Sequence, residues 1–486
     1  TSVTSSAADR ATATVTDSGN GGTIKVTAVG VGTANITLTV AESQDYNAAS
    51  KICVISIKSD NSNLMVRELG EYEAGTGTIY YVIGAQRAGK KQYKADLIKT
   101  ITFVQGNEVP ANAVDSWDVS FNNGDYNVRA WVIKNSSDNS MYDLYIGADS
   151  KIVAPSISDR MFRAYTNCIS INGLEFLDTS KATSMNYMFM DSDSLTTLDL
   201  SYFDTSKVTG MMYMFSGCKA LKNVDLSSFD TTNVTTMTAM FRYCENMTDV
   251  TFGNSFKTNK VTDMSYMFSR CSKLTKIDLS KFDTSSATNM EQMFAHCNSV
   301  KELQLQQFNT NKVTTMSSMF NDCSSLTKLD LSSFNTNNVT NMSGLFGGCV
   351  NLETITFGKN FETSNVEDMS SMFSECAKLS NLNVSEFNTS KVTNMSNMFK
   401  GCNSITALDI SNFDTSKVTN MHSMFENCGN LKAIHLGEMF DTSKVTDMKY
   451  MFSGNSKLTA IITRRTISSV DNAIKFSTDT GLNNLY

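Results

Sequence analysis

The sequence predicts a β-rich solenoid, and three observations support that prediction. A phenylalanine preceded by Met or Leu recurs every 26 or 27 residues. Each interval follows one pattern, written out by Cys218 to Phe241 as C-K-A-L-K-N-V-D-L-S-S-F-D-T-T-N-V-T-T-M-T-A-M-F. A chain of 486 residues also exceeds one ordinary globular core. We therefore expect about 11 stacked coils. Their closing phenylalanines are Phe189, Phe215, Phe241, Phe268, Phe294, Phe320, Phe346, Phe373, Phe399, Phe425 and Phe452.

Each coil is expected to hold two short strands and one helical turn. In one copy, L-x-x-L-x-L over Leu326–Leu331 alternates as a half-buried strand does. Val339–Met342 is interpreted as a second strand with Val339 inward. Met342, Leu345 and Phe346 then follow at i, i+3 and i+4, which is helical spacing. Stacked coils would place equivalent residues in rows.

Composition restricts the class of partner. The net charge is −7 and charged residues make up 18% of the chain. Nucleic acid is therefore not expected as a partner, because phosphate binding needs a basic stripe. No run of 18 apolar residues occurs, so no membrane insertion is expected within this chain.

Residues 1–58 contain alternating, β-branched segments typical of strands, at 11–16, 23–29, 34–40 and 52–57. The stretch V-T-A-V-G-V-G-T-A-N-I-T-L-T-V, followed by D-Y-N-A-A-S, resembles a bacterial Ig-like domain. The resemblance implies part of a β-sandwich whose first strands are missing before Thr1. The alternative is an unrelated β-rich cap.

Residues 59–160 are predicted to be a β-rich connecting and capping region. Strands are expected at 100–104, 116–120, 128–133 and 142–146. A solenoid needs a cap over its first coil, and this region precedes the repeats. The solenoid is predicted over 161–463, beginning with a degenerate copy at Met161-Phe162, and 464–486 is a C-terminal cap or tail.

The repeat C-x-x-L-x-x-L-D-L-S-x-F-D-T-S-x-V-T-x-M-x-x-M-F is similar to that of BspA-like bacterial surface proteins, a methionine-rich variant of leucine-rich repeats. The resemblance covers Phe162 to Ile462, with departures at Lys257, Ala287 and Glu367. It implies a leucine-rich-repeat-like fold and an adhesin-type role, extracellular or on a bacterial surface, without catalysis or cofactor. It supplies no ligand-binding motif.

Nine of the eleven cysteines lie three residues after a closing phenylalanine, and we predict that they are buried and reduced. Equivalent Cβ atoms in stacked coils lie about 4.8 Å apart, beyond the usual separation in a disulfide. No spacing typical of zinc ligands occurs. The end copies carry Ser192 and Asn455 at this position. The nine cysteines are Cys218, Cys244, Cys271, Cys297, Cys323, Cys349, Cys376, Cys402 and Cys428.

No catalytic, cofactor-binding or metal-binding residue is predicted. His296 precedes Cys297, but neighbouring residues on an extended chain point apart, so they are not expected to form a thiol–imidazole pair. The repeated D-T-S corner is expected to bond its own backbone. A calcium-binding repeat is the alternative, and Lys257 and Glu362 interrupt it.

The predicted function is recognition or adhesion, with an extracellular protein or a glycan as ligand. The alternative is a structural surface spacer or shell component without a specific ligand. Ice binding is a third class, because a Thr row formed by Thr209, Thr235, Thr262, Thr288, Thr314 and Thr340 is expected on a flat sheet.

The candidate partner-binding residues are expected in rows two positions before and just after the closing phenylalanine. Early copies hold Tyr and Arg there, whereas later copies hold mostly small residues. Tyr and Arg commonly anchor interfaces. The alternative is that the rings only cover adjacent coils. We call this set the Tyr/Arg edge; it comprises Tyr187, Tyr213, Arg242, Tyr243, Tyr266 and Arg270.

Overall fold

The computed structural model describes residues 88–120 and 126–463, residues 83, 85 and 86, and the backbone of seven short strands before them. Strands β1 (Ser2–Ser5), β4 (Gly32–Val40) and β5 (Ala49–Ile57) form an antiparallel sheet. Strand β2 (Ala11–Thr16) pairs with β3 (Thr23–Ala28) in a second sheet. The strands predicted in this region are confirmed, whereas the Ig-like assignment stays a prediction. The other two of the seven strands are β6 (Glu71–Glu73) and β7 (Gly77–Ile79).

A six-stranded sheet joins the segment before the repeats to the first repeat copies. Its strands are β8 (Ile98–Gln105), β9 (Asp115–Asp118), β10 (Val128–Lys134), β11 (Tyr142–Ala148), β13 (Ser170–Asn172) and β15 (Thr197–Leu198). Two short strands of this region, β12 (Ile152–Val153) and β14 (Leu177–Asp178), pair with each other outside the sheet. The order is β15-β13-β8-β11-β10-β9, and β8 runs parallel to β13. The backbone edge of the first repeat strand is therefore paired rather than open.

Strands at the L-x-L position pair in parallel with the equivalent residues of the next copy. Val224 pairs with Val250, and Leu329 pairs with Ile355. Three copies, at 275–279, 301–305 and 380–384, lack a strand there. Helix is limited to two 3₁₀ segments in the described residues, Ala95–Leu97 and Leu174–Phe176. The remaining strands are β16 (Asn223–Leu226), β17 (Asp249–Phe252), β18 (Lys328–Leu331), β19 (Thr354–Phe357), β20 (Ala407–Ile410), β21 (Ala433–Leu436) and β22 (Ala460–Thr463).

The second predicted strand is only one residue long. Asn341 bridges Thr315 of the preceding copy and Asp368 of the next, and equivalent parallel bridges run from Ile157 to Asp447. The chain turns directly afterwards, because the carbonyl of Met342 accepts a hydrogen bond from the Leu345 amide at 3.2 Å. The expected four-residue strand is therefore wrong in extent, although its parallel stacking is present.

The predicted helical turn is wrong, because M-x-x-M-F-x-x-C forms consecutive β-turns. In one copy the Asn321 amide donates to the Ser318 carbonyl at 3.0 Å, spanning three residues rather than four. The amides of Ser318, Phe320 and Asp322 instead donate to carbonyls of the next copy, at 2.7, 3.1 and 2.7 Å. Alternate residues thus send their hydrogen bonds between copies.

The inward face predicted from the Met and Phe spacing is confirmed. Phe320 is fully buried, and its ring stacks between Phe294 and Phe346 at centroid distances of 6.0 and 6.1 Å. The two pairs of ring planes are within 5° of parallel. Similar stacking joins closing phenylalanines from Phe162 to Phe452. A continuous column of rings therefore forms the centre of the repeat core.

The nine ladder cysteines are buried free thiols, as predicted, but they are not merely small apolar residues. Cys323 Sγ donates to the carbonyl of Phe294, the closing phenylalanine of the preceding copy, at 3.1 Å. The end residues Ser192 and Asn455 donate to the equivalent carbonyls at 2.7 and 2.8 Å. The position therefore holds a side-chain donor throughout. Burial raises the pKa of Cys323 to about 12, so its thiol stays protonated.

The polar corners hold successive copies together. Thr310 is buried, and its hydroxyl donates to the carbonyl of Asn335 and accepts from the amide of the same residue, both at 2.8 Å. Asn309 Oδ1 accepts the amide of Asn311 at 3.1 Å, which is the local bond predicted for this corner. These groups satisfy backbone donors and acceptors where the chain changes direction.

The phenylalanine column generates a first prediction. We expect Phe320→Ala to reduce the free energy of unfolding by about 3–5 kcal/mol, because the cavity removes ring contacts with two copies. Ser318→Ala, on the half-buried side of the same turn, should cost much less. Equal losses in chemical denaturation of the two variants would contradict the inward assignment of Phe320.

The cysteine ladder generates a second prediction. Cys323→Ala should cost about 1 kcal/mol, because it removes one donor from a buried carbonyl. Cys323→Ser should cost less, since Ser192 makes the same bond in the first copies. Thermal unfolding with and without a reducing agent should give one midpoint. Coil-to-coil disulfides in mass spectra, or a greater loss for Ser than for Ala, would disprove the donor role.

Candidate functional site

The Tyr/Arg edge is brought together in two contact groups. In the first group, the rings of Tyr187 and Tyr213 stack at 5.3 Å with an interplanar angle of 13°. The guanidinium carbons of Arg160 and Arg163 lie 5.0 and 5.7 Å from the centroid of the Tyr187 ring. Cations at these distances are attracted to the ring face.

The second group is a column of alternating rings and guanidinium groups. The Arg242 guanidinium carbon lies 4.7 Å from the Tyr266 ring centroid and 4.9 Å from the Tyr243 centroid. The Arg270 carbon lies 5.3 Å from the same Tyr243 centroid. All four residues of this column were candidates from the sequence, and the structure places them in mutual contact.

Five of the six residues of the Tyr/Arg edge have a left-handed backbone conformation. Positive φ values occur at Tyr187 (59°), Tyr213 (56°), Tyr243 (62°), Tyr266 (59°) and Arg270 (65°). They follow from the turn series, which needs positive φ at the third residue of its type II turns. Later copies place Gly or Asn at many equivalent positions, including Gly344, Gly348, Asn397, Gly401, Asn427 and Gly454.

Bulky residues in this conformation are strained. A side chain with φ near +60° is disfavoured by roughly 1–2 kcal/mol relative to the right-handed region, and only Gly is free of that cost. The strained aromatic residues are concentrated in the early copies, although Tyr450 also has a φ of 59°. The helical turn predicted from the residue spacing would have negative φ values throughout, so the sequence analysis did not predict this strain.

The charges along the edge are unequally paired. The side chains of Arg242 and Arg270 make no hydrogen bond or ion pair with the described residues, and Nε of Arg242 is buried without an acceptor. Tyr266 Oη donates to Glu291 Oε1 at 2.5 Å. Burial, followed by this contact with Glu291, raises the pKa of Tyr266 to about 12. By contrast, Arg163 Nη2 lies 3.6 Å from Asp191 Oδ2.

Three residues of the site were missed by sequence reasoning. Arg160 and Arg163 flank the degenerate pair Met161-Phe162, where the repeat pattern is too weak to assign rows. Glu291 contacts Tyr266 from the adjacent copy. The spacing to Phe162 was the available signal, because Arg160 stands two positions before it, as Tyr187 does before Phe189.

The other candidate features make different contacts. The threonines of the Thr row are exposed, but each hydroxyl donates to a carbonyl of the preceding copy, as Thr288 Oγ1 does to Thr262 at 3.1 Å. His296 Nδ1 lies 3.2 Å from Asp322 Oδ2, and burial lowers the pKa of His296. Cys297 donates instead to the carbonyl of Phe268, so no thiol–imidazole pair forms.

The described residues contain neither a metal-ligand cluster nor a membrane-spanning helix. Over 88–120 and 126–463, no group of three or more His, Cys, Asp or Glu side chains is arranged to hold a metal ion. Within the described part of the chain, no helix has the length and apolar character needed to span a membrane.

Comparison with known proteins identifies the repeats. The family described as "Mycoplasma protein of unknown function, DUF285" matches residues 158–277, 250–357, 351–464 and 406–484, which together span more than half of the chain. The chain belongs to the DUF285 family. The Tyr/Arg edge lies entirely within the DUF285 segment.

Two further comparisons concern solved structures and curated proteins. A solved structure of a leucine rich cell surface protein from Faecalibacterium prausnitzii is 18% identical, covers 86% of this chain and 100% of that one, and has a TM-score of 0.34. No curated protein matches the chain. The family assignment of the DUF285 segment thus comes from the repeated match within residues 158–484.

The left-handed row generates a third prediction, tested at two positions outside the Tyr/Arg edge. Ser371→Gly should stabilise the fold by up to about 1 kcal/mol, because Ser371 has a φ of 55°. Gly344→Ala, at the equivalent position of the preceding copy, should destabilise it, since the added Cβ would also lie 2.8 Å from Ser318 Oγ. Denaturant unfolding measures both variants. A loss of stability in Ser371→Gly would contradict the strain assignment.

Proposed function

We propose that this protein is a non-enzymatic recognition protein, secreted or displayed on a bacterial cell surface, which binds an extracellular protein or glycan through the Tyr/Arg edge. In this proposal residues 161–463 form a leucine-rich-repeat-like solenoid of about 11 coils. Residues 59–160 connect and cap it, residues 464–486 are a C-terminal cap or tail, and residues 1–58 are a partial bacterial Ig-like domain.

The stacked arrangement is supported by the parallel bridges and the phenylalanine column. Equivalent residues of successive copies pair from Ile157 to Asp447. The closing phenylalanines stack along the same direction, for example Phe399 on Phe425 at 5.5 Å. Copies that repeat one translation in this way are expected to generate a solenoid.

One observation carries the functional part of the proposal. Tyr187, Tyr213, Tyr243 and Tyr266 occupy left-handed backbone positions that other copies fill with Gly or with small and polar residues such as Ser, Asn, Asp and Glu. The backbone geometry is met in those copies without an aromatic ring, so it does not by itself account for four tyrosines there. The concentration of Tyr and Arg, the residue types that commonly anchor interfaces, supports a recognition surface in the early copies.

The cell-surface part of the proposal is supported by the repeat itself. Its Cys, Leu, Asp-Thr-Ser and Met-Phe positions resemble those of BspA-like surface proteins, whose role is adhesion rather than catalysis. The buried thiols support the absence of nucleophilic catalysis at the ladder, since burial holds the pKa of Cys323 at about 12. The histidines His296 and His422 each contact an aspartate of the following copy rather than a nucleophile.

A structural spacer is the second candidate, and one observation favours it. The rings of the Tyr/Arg edge pack on one another and on arginines, as Tyr187 does on Tyr213, so part of their surface is already used within the chain. In a spacer, these contacts would only join copies. The two functions differ in whether removal of the tyrosines abolishes binding.

The fourth prediction separates the two functions. The full chain is screened against matrix proteins and glycans, and any ligand is retested with the triple variant Tyr213→Ser, Tyr243→Ser and Tyr266→Ser. We expect affinity to fall at least about tenfold. The midpoint of unfolding should fall only modestly, because serine keeps the same backbone strain and each lost ring–guanidinium contact is worth about 0.5–1 kcal/mol.

The matched control is Tyr202→Ser with Tyr450→Ser, two exposed tyrosines outside the Tyr/Arg edge. This control should bind as the unchanged chain does. Undiminished binding by a folded triple variant would assign the edge to packing, and the Thr row would then be the next surface to test. Absence of any ligand would favour the spacer.

A further inference from the structure

Arg242 and Arg270 are two guanidinium groups without an anionic partner in a chain of net charge −7. Neither side chain has a hydrogen bond or ion pair with the described residues. Arg242 is half-buried, whereas Arg270 is exposed. An arginine that lacks a carboxylate despite an excess of acidic residues retains its capacity to bind an external anion.

Two of the acidic side chains near this column already have partners. Glu291 accepts the hydrogen bond of Tyr266, and Asp322 contacts His296. Glu245, two residues after Tyr243, is exposed to solvent. The positive charges of Arg242 and Arg270 are therefore not neutralised by direct contact.

The stacking also holds the two groups in place. Both guanidinium carbons lie within 5.3 Å of the centroid of Tyr243, and Tyr266 supports Arg242 from a second direction. A guanidinium group held over a ring face still has a planar pair of terminal Nη donors, which matches the oxygens of a carboxylate or sulfate, although Nε of Arg242 itself is buried. A lysine would provide charge but not this geometry.

The ring faces, in contrast, are largely occupied. Tyr243 is contacted by Arg242 and Arg270, and Tyr187 is stacked on Tyr213. Stacking of a neutral sugar ring would have to displace these contacts. The edge also exposes no large apolar side chain in its early copies that would anchor a protein ligand. Charged groups are the recognition elements that stay free.

We propose that Arg242 and Arg270 bind the sulfate or carboxylate groups of an acidic polysaccharide. The proposal rests on the function proposed for the Tyr/Arg edge and specifies its ligand class. Arg160 lies along the same edge at Tyr187, so a repeating anion that spans several copies would reach both contact groups. Arg242 and Arg270 belong to adjacent copies, which are spaced by about 4.8 Å, so neighbouring charged groups of one polysaccharide would contact both.

The fifth prediction tests this ligand class with the full chain. Heparin is the sulfated probe, dextran the neutral polysaccharide, polyglutamate the acidic peptide and sodium sulfate the free anion, with binding measured by titration calorimetry at low salt. We expect heparin to bind, dextran not to bind, and heparin affinity to fall as salt rises. Arg242→Gln with Arg270→Gln should weaken heparin binding at least about tenfold.

Two control variants separate geometry from net charge. Lys312→Gln with Lys444→Gln removes the same charge from exposed corners and should leave heparin binding within about twofold. Arg242→Lys with Arg270→Lys keeps the charge but should still lose affinity, because the planar donor pairs are gone. Equal losses in the two Gln variants, full retention in the Lys variant, or no heparin binding would overturn the proposal.

Two outcomes identify the ligand source more closely. Polyglutamate that binds as tightly as heparin, with the same arginine dependence, would replace the polysaccharide by an acidic peptide and overturn this proposal. Free sulfate that competes only at high concentration would support recognition of a repeating anion. A protein or neutral glycan that binds through Tyr213, Tyr243 and Tyr266, but not through the arginines, would overturn this inference and leave the proposed function intact.

Discussion

The repeat depends on backbone hydrogen bonds that run alternately between copies and within them. Ser318, Phe320 and Asp322 donate their amides to the next copy, while the amides between them close β-turns inside their own copy. This alternation requires a positive φ at Ser318 and Asp322. It also explains two recurring residue types, because the ladder cysteine and the buried corner threonine bond to main-chain groups of neighbouring copies. Residue identity in the repeat thus follows from main-chain pairing.

The residue spacing predicts which side chains face inward but not how the backbone carries them. Met342, Leu345 and Phe346 are buried as expected, yet their spacing of i, i+3 and i+4 fits both a helix and a series of β-turns. Only the destination of the amide hydrogen bonds distinguishes the two, and that destination lies in another copy. The alternation of Gly344 and Gly348 was the local signal, since repeated glycines four residues apart disfavour a helix and favour left-handed turns.

The candidate site was predictable to a similar extent. Row stacking predicts that Tyr243, Tyr266 and Arg270 lie together, because equivalent positions must be neighbours in a stacked array. The identity of the contacts was not predictable, since the guanidinium of Arg242 reaches rings of its own copy and of the next. Arg160 was missed because its copy has lost most of the repeat pattern. Side-chain direction, rather than position in the row, determines which charges stay unpaired.

Strain and side-chain contacts oppose each other along the Tyr/Arg edge. Each bulky left-handed residue costs roughly 1–2 kcal/mol, whereas each ring–guanidinium contact at a half-exposed site returns about 0.5–1 kcal/mol. The two arginine contacts of Tyr243 therefore offset its strain, whereas the single ring–guanidinium contact of Tyr266 does so in part. Gly401 and Gly348 meet the same backbone requirement in later copies without any strain. Because Gly, Ser, Asn and Asp all meet this backbone requirement elsewhere in the array, the concentration of Tyr and Arg in the early copies is the feature on which the proposed recognition surface rests.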